Sequence, residues 1–386
     1  MIYLDNAAST QIHEDVLEAM LPYLKEQYGN PSSIHRYGRL AHKAIEKART
    51  QIAMLINADP SEILFTSGGT ESNNTALYGI TEKKPHSQII TSSIEHDAIL
   101  EPCKKLAKDG FDVIYLPVDN HGVVNLSVLK NTLSDNTCLV SIMFGNNEMG
   151  TIEPIAQIAQ LCNEQNIPFH TDAVQAIGKI QIDVKKLGID LLSISSHKIN
   201  GPKGIGALYI RKGINIDPII LGGGQERGLR SGTENVANIV GFGKACELAN
   251  LHLSENISYM KKLRDNLIAK ILREIPGVVL NGHTENRLPN NAHFTFLGVA
   301  GEDLIIKLDE YGIAASTGSA CSVHTQKASH VLQAMGFSHE QITGSLRLTL
   351  GLFNNQQQID ETVNILKKVT AELRSVSPFK EKYSFN

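Results

Sequence analysis

Between residues 62 and 170 the chain repeats one unit, a short apolar run followed by a longer stretch with apolar residues on a helical period. Residues 62–66, 88–91, 113–116, 138–142 and 168–170 predict strands. Residues 70–80, 97–108 and 155–163 predict helices between them, with Thr70 as the expected N-cap of the first. Strands alternating with helices imply βαβ units and a mostly parallel sheet covered on both faces. Ligands of such sheets bind outside the carboxyl ends of the strands, and the polar clusters of this chain fall at those ends. From 234 to 275 the pattern is helical and long, which predicts a bridge between two domains. After Pro276-Gly277, residues 278–280 and 293–296 read as strands of a smaller α+β unit. The strand-like N-terminus is expected to pack with that unit. The resulting division is 14–255 for a large domain, with 1–13 and 256–386 forming the small one.

The bulk properties narrow the function classes. At 386 residues the chain has room for two or three domains and a large core. Apolar content is 42%, charged content 20% and net charge −4, ordinary for a soluble globular protein. No basic excess marks a nucleic-acid binder, and the cluster Lys261-Lys262-Leu263-Arg264 reads as a solvated helix face. The five cysteines, Cys103, Cys138, Cys162, Cys246 and Cys321, are widely spaced without a C-x-x-C pair. That usage fits a reducing compartment. No signal peptide is visible, and no run of about 18 apolar residues predicts a membrane span.

Lys198 lies in Ser195-Ser196-His197-Lys198-Ile199-Asn200-Gly201-Pro202, just after the apolar run 189–194. A lysine at the mouth of a buried strand, among hydroxyls, a histidine and a glycine turn, is poorly placed as a solvated charge. It is well placed as a Schiff-base lysine. Upstream, His170-Thr171-Asp172-Ala173-Val174-Gln175 ends a second strand with a carboxylate. Pyridoxal phosphate needs that pair, an amine for its aldehyde and an acid to keep its pyridine nitrogen protonated. Asp172 is expected to be partly buried, and a buried carboxylate needs a partner. A structural hydrogen-bonding role is the alternative. Gln175 is placed to donate to the phenolate oxygen.

Other strand ends carry further candidates. Ser67-Gly68-Gly69-Thr70-Glu71-Ser72 follows a strand and opens a helix, where glycines and the helix N-terminus suit a phosphate. A tight turn with Thr70 as cap is the alternative. His96 follows a strand, either stacked on a ring and handling protons or starting a helix at the surface. Asn147, in Gly145-Asn146-Asn147-Glu148-Met149-Gly150, either binds a substrate carboxylate or ring oxygen or serves turn chemistry. Arg347, in the alternating run Ser345-Leu346-Arg347-Leu348-Thr349, suits bidentate capture of an amino-acid carboxylate, or lies on an edge strand facing solvent. Cys321 sits among small residues in Ser316-Thr317-Gly318-Ser319-Ala320-Cys321-Ser322, the composition of an exposed mobile loop, where a thiol can act as a nucleophile. Cys138 and Cys246 lie in apolar runs and read as core. His324 and His330 follow Cys321 at a spacing that matches no zinc pattern, so no metal is expected.

Together these segments resemble the cysteine desulfurases, from Tyr3-Leu4-Asp5-Asn6-Ala7-Ala8 to the Arg347 strand. The most specific pieces are the Asp172 and Lys198 segments, Arg230-Ser231-Gly232-Thr233-Glu234-Asn235, and Gly318-Ser319-Ala320-Cys321. The resemblance implies an α/β pyridoxal-phosphate-dependent transferase of fold type I. Its large domain would hold a mostly parallel seven-stranded sheet, beside a smaller α+β domain. The implied reaction converts L-cysteine to L-alanine, with sulfur carried as a persulfide on Cys321.

By the same resemblance Lys198 forms the Schiff base, Asp172 pairs with the pyridine nitrogen, Gln175 with the ring oxygen, and His96 stacks on the ring and transfers protons. Gly69, Thr70, Ser195 and His197 hold the phosphate. Thr233 reaches the phosphate of a neighbouring subunit, which implies a homodimer. Asn147 and Arg347 bind the substrate carboxylate. The implied partner is a sulfur-acceptor protein, an iron–sulfur scaffold or a tRNA-thiolation protein, in the cytoplasm, with no membrane or direct nucleic-acid contact. Two segments depart from the family pattern. Gln326-Lys327-Ala328-Ser329-His330 replaces the usual Leu-Glu-Pro-Ser-His, and the tail after Ser377-Pro378-Phe379 is short, which weakens the partner assignment. Another enzyme of the same fold type, or a scaffold without chemistry, are the alternative readings.

Overall fold

β1 (Ile2–Tyr3) opens the chain, followed by β2 (Ile63–Thr66), β3 (Gln88–Ser92), β4 (Asp112–Leu116), β5 (Thr137–Ser141), β6 (Phe169–Asp172), β7 (Leu191–Ser195) and β8 (Gly206–Ile210). In this computed structural model, which describes residues 1–82, 84–318 and 328–377, the last seven form one sheet in the order β2-β8-β7-β6-β5-β3-β4. β8 runs antiparallel to β2 and β7, and the remaining neighbours are parallel. Cys321, His324, Gln326, Lys327 and the Pro378-Phe379 pair lie outside the described residues.

The central strands read as unbroken apolar runs because both faces of the sheet are covered. Successive side chains point to opposite faces. Ile63 and Phe65, Val140 and Leu192 join one core with Ile45, Ile52, Ile158 and Phe242 from the helices Arg36–Ile56, Ile155–Asn163 and Val236–Leu251. Their neighbours Leu64, Leu139 and Leu191 join the other, with Ala76, Leu77, Ile99 and Cys103 from the helices Gly69–Thr81 and Asp97–Lys108. The strand order reverses between β3 and β5, the switch point where a crevice opens in open α/β sheets.

Two local expectations are corrected. Thr70 is not an N-cap: Gly68 takes that position, with no side-chain bond, and Thr70 lies inside the first turn. At Gly68 the backbone itself selects glycine, with φ +155°, a conformation that L side chains rarely adopt, and close packing selects glycine at its neighbours. A Cβ on Gly206 would come 2.7 Å from Gly68 Cα, and one on Gly69 would come 2.7 Å from Val174 Cγ2. The long helical stretch is two helices, Val236–Leu251 and Leu253–Glu274, broken at His252 (φ −111°, ψ 16°). The first packs on the large sheet's core; the second packs against Gln356–Val376.

The remaining strands are β9 (Val278–Leu280), β10 (Asn291–Phe296), β11 (Ile313–Ala314) and β12 (Ser345–Thr349). β10 lies between β9 and β12, antiparallel to both. Phe294, Leu346, Leu267, Ile359 and Leu366 fill a third core, which Ile2 and Leu4 join. The N-terminus packs as expected: Ile2 pairs with Ile313 and Asp5 bridges Thr349. Among the described residues no helix is long and apolar enough to cross a membrane.

Candidate active site

A cavity of about 310 Å³ opens at the carboxyl ends of β3, β5, β6 and β7. Gly69, Thr70, His96, Asn147, Asp172, Gln175, Ser195, His197, Lys198 and Arg347 all line it. Most of these residues converge because they follow or end an element aimed at the switch point, and Arg347 enters from the middle of β12 in the small sheet. Thr233 does not line this cavity and is exposed in its own chain.

Lys198 lies in a short 3-10 turn after β7, and its Nζ donates to the carbonyls of Ala7 and, at 2.8 Å, Ala8. Gln175 Nε2 also donates to Ala7 O at 2.9 Å. The N-terminal segment therefore forms a wall of the site. Asp172 is buried at the end of β6, as expected. Its Oδ2 accepts from Asn73 Nδ2 at 2.7 Å and its Oδ1 from the Val174 backbone at 2.9 Å. An ionised carboxylate has about four acceptor positions, so these two bonds orient it and leave capacity for a further N–H.

His96 satisfies both readings of its position. It caps the helix Asp97–Lys108, its Nδ1 accepting from Ala98 N at 3.1 Å, and it lines the cavity. That bond assigns the ring hydrogen to Nε2 in the neutral form. Arg347 is buried, which overturns the edge-strand surface alternative. Its Nη2 pairs with Asp5 at 2.8 Å, and its Nη1 donates to Asn147 O and Gly318 O at 3.0 and 3.1 Å. Its Nε has no partner among the described residues.

Beside the cavity a recess is lined by Ser67, Gly68, Gly69, Thr70, Ser195 and His197. The N-terminus of the thirteen-residue helix Gly69–Thr81 faces it. Burial raises the Glu71 carboxyl, but hydrogen bonds from Arg230 and Ser67 outweigh that and hold it below its ordinary value. These bonds, 2.9 Å from Arg230 Nε and 2.8 Å from Ser67 N, turn the carboxylate to the protein. Burial, followed by repulsion from Lys198, Lys203 and Lys179, pushes His197 down to about 4. Its imidazole is therefore neutral at neutral pH.

The residues fit pyridoxal phosphate. An acceptor-rich buried Asp172 faces the cavity, a lysine amine sits opposite the N-terminal wall, and the recess presents hydroxyls, a helix N-terminus and a neutral histidine. Sequence reading missed Asn73, Ala7, Ala8 and Asp5. Asn73 has a usable signal, lying three residues after Thr70 on a helix, where neighbours share a face.

Buried acids lie below the site. Glu95 Oε1 accepts from Ser92 Oγ at 2.6 Å and Met143 N at 2.9 Å, while its Oε2 is buried without a partner among the described residues. Burial pushes its carboxyl up to about 8 despite those bonds. A raised folded-state value means the stabilising contribution is full below the unfolded value and is lost as pH rises through about 8. Glu95→Gln cannot ionise. The variant is therefore expected to match or trail the wild type at about pH 5 and to melt at least roughly 2 °C higher than it at about pH 9. Calorimetric melting at both pH values checks this.

The chain matches the model of the aminotransferase class-V family over residues 2–362. It is 50% identical over 389 aligned residues to the cysteine desulfurase IscS of Dictyoglomus turgidum, an alignment covering 100% of this chain and 98% of that protein. Among solved structures, a NifS-like protein superposes with a TM-score of 0.91 at 41% identity, covering 96% of this chain and 100% of that one. SspA in complex with cysteine gives 0.80 at 37% identity, covering 91% and 99%. The fold, the cavity and these likenesses agree: the chain belongs to the class-V aminotransferase family, among its pyridoxal-phosphate-dependent cysteine desulfurases.

Proposed function

We propose that the chain acts on L-cysteine in the cavity between Lys198 and Arg347 and passes the sulfur to Cys321, then to an acceptor protein. The observation that carries the reading is the convergence of Lys198, Asp172 and Arg347 on one cavity, which Gly318 also lines, three residues before Cys321. The solved SspA complex, whose name includes cysteine, supports the substrate.

Bound pyridoxal phosphate supplies the electron sink that makes the substrate Cα proton acidic. Asp172, its orientation fixed by Asn73 and Val174, would keep the pyridine nitrogen protonated. Thr70, Ser195, His197 and the Gly69 backbone would hold its phosphate, Gln175 would donate to its ring oxygen, and His96 would lie against the ring. Arg347 and Asn147 hold the substrate carboxylate. Lys198 Nζ takes the Cα proton. The Cys321 thiolate attacks the substrate sulfur, a sulfur–sulfur bond forms, and the Cβ–sulfur bond breaks with its electron pair passing to carbon. Protons returned through Lys198 and His96 complete L-alanine. The four described cysteines support Cys321 as acceptor. All are buried, and burial pushes Cys103 and Cys162 up to about 12, Cys138 up to about 11, and Cys246 higher still. A thiolate is not accessible at those positions.

Single-turnover release of alanine and sulfide from L-cysteine, wild type beside Cys321→Ala, tests the reading. Persulfide and alanine from the wild type, with neither from the variant, support it. Equal products from both, or pyruvate from both, favour a lyase or a transaminase. Arg347→Lys is expected to raise KM for L-cysteine by about 100-fold with a smaller change in kcat, because a point charge replaces a bidentate fork and leaves Asp5 less well paired.

A homodimer in the cytoplasm completes the reading. Exposed Leu17, Leu21, Leu24, Tyr28, Ile34 and Tyr37 form apolar surface on and beside the helices Glu14–Lys25 and Arg36–Ile56, suited to a second copy. Thr233, exposed in its own chain, is free to serve the partner's phosphate. The final sulfur acceptor is an iron–sulfur scaffold or a tRNA-thiolation protein.

A further inference from the structure

A second cavity, of about 240 Å³, lies between the N-terminal segment, the helix Val236–Leu251 and the start of Leu253–Glu274. Lys198 lines both cavities, so the two share a wall. The reaction described above uses no group from the second one except that shared lysine.

Its notable side chain is Lys179, which is only 4% exposed. Lys179 Nζ donates to the Lys198 carbonyl at 3.0 Å. An ammonium carries three donors, so one neutral acceptor satisfies a third of its capacity. A buried charge without a counter-charge is costly, and such groups pair with an anion or lose their charge. No buried carboxylate among the lining residues supplies the anion. The one acid there, Asp15, is exposed to solvent, and the lining histidines His13 and His252 are occupied. His13 Nδ1 caps the helix Glu14–Lys25 by accepting from Asp15 N, and His252 Nδ1 lies 3.3 Å from Glu255. Much of the remaining wall is apolar, formed by Val16, Ala245, Leu248, Ala249, Met260 and Leu350.

We propose that this cavity is a second ligand site, taking a small aliphatic monocarboxylate with its carboxylate on Lys179 Nζ and its carbon chain on the apolar wall. One fixed cation matches one negative charge, and the small volume admits a short chain. A dianion such as phosphate would leave one charge uncompensated against an apolar surface. Lys179 also holds the backbone of Lys198. Occupancy of this cavity therefore acts on the turn that aims the reactive amine, and couples a second site to the first.

Burial, then repulsion from Lys198, pushes Lys179 down to about 7. A carboxylate on Nζ raises it, so binding at about pH 8 draws a proton from solution. The charged or titratable groups that interact with Lys179 are Lys198 and His197, and His13, Asp15 and His252 line the same cavity.

The experiment is titration calorimetry of the cofactor-loaded protein with butyrate, repeated in two buffers of different ionisation enthalpy and then with inorganic phosphate. Wild type is compared with Lys179→Met and with Ala249→Leu, which fills the cavity but keeps the cation. Because Arg347 also attracts carboxylates, stoichiometry identifies the site. The expected result is one more butyrate per chain in wild type than in Lys179→Met, and proton uptake that vanishes in that variant. Ala249→Leu is expected to weaken this event by at least about tenfold. Phosphate is expected to leave it unchanged. Equal stoichiometry and proton uptake in wild type and Lys179→Met would overturn the proposal, as would phosphate displacing butyrate at similar concentration. Should Lys179→Met fail to load cofactor, Ala249→Leu decides alone, and unchanged affinity in that variant overturns the site. Loss of desulfuration without loss of the extra butyrate would strike the catalytic reading and leave this one standing.

Discussion

Lys198→Ala is expected to lower kcat for L-cysteine by about 10,000-fold, the upper range for losing a positioned proton-transfer group. Lys198 is both the covalent anchor and the base, so two measurements separate those losses. Borohydride treatment should fix the cofactor permanently to the wild type and leave it removable by dialysis from the variant. Added methylamine should restore part of the turnover, since a free amine can take up the proton that Lys198 Nζ otherwise removes. Full activity in Lys198→Ala would end the assignment. The variant is not expected to unfold: Lys198 donates to the Ala7 and Ala8 carbonyls at the cavity wall, where water can replace it.

Asp172→Ala carries the second-largest expected loss, about 100- to 1,000-fold in kcat. Its carboxylate is buried and oriented by Asn73 Nδ2 and the Val174 amide, both of which lose their acceptor in the variant. Asp172→Asn separates charge from shape. It retains one oxygen, enough for one of the two donors that bind separate oxygens of Asp172, but cannot stabilise a protonated pyridine nitrogen. Both variants should therefore lose kcat, while Asp172→Asn keeps more cofactor affinity. Steady-state kinetics at saturating cofactor, beside the visible absorbance spectrum, reads the two effects independently. A spectrum and kcat unchanged in Asp172→Asn would remove the carboxylate from the chemistry.

Much of this arrangement is legible in the chain, for reasons that differ from element to element. The strands are legible because burial on both faces leaves unbroken apolar runs such as Cys138-Leu139-Val140. The site residues beside them are legible because polar side chains at the ends of such runs have few other reasons to be there. Thr70 misleads because hydroxyl residues are common caps, whereas here the cap position takes φ +155°, which only glycine adopts readily, and the facing Gly206 has no room for a Cβ. Ala7 and Ala8 leave no trace, since their carbonyls do the work and every residue has one. His96 divides into two readings in sequence because one side chain both caps a helix through Nδ1 and lines the cavity. Arg347 is ambiguous until its strand is placed, because burial of an alternating strand depends on partners that sequence spacing does not name.

The path of the N-terminal segment has a consequence for how the protein is made. Ile2 and Leu4 belong to a core completed by strands near the other end of the chain, and Asp5 pairs with an arginine 342 residues later. The Asn6 side chain donates to Thr349 O at 2.8 Å, and the next two residues face Lys198. During synthesis these residues leave the ribosome long before their partners exist. The sheet can assemble as it emerges, but the wall opposite the reactive lysine cannot close until the Arg347 strand has been made. Competence for chemistry therefore waits on that strand, and a nascent chain stalled short of it would carry a folded sheet with an open, unfinished site.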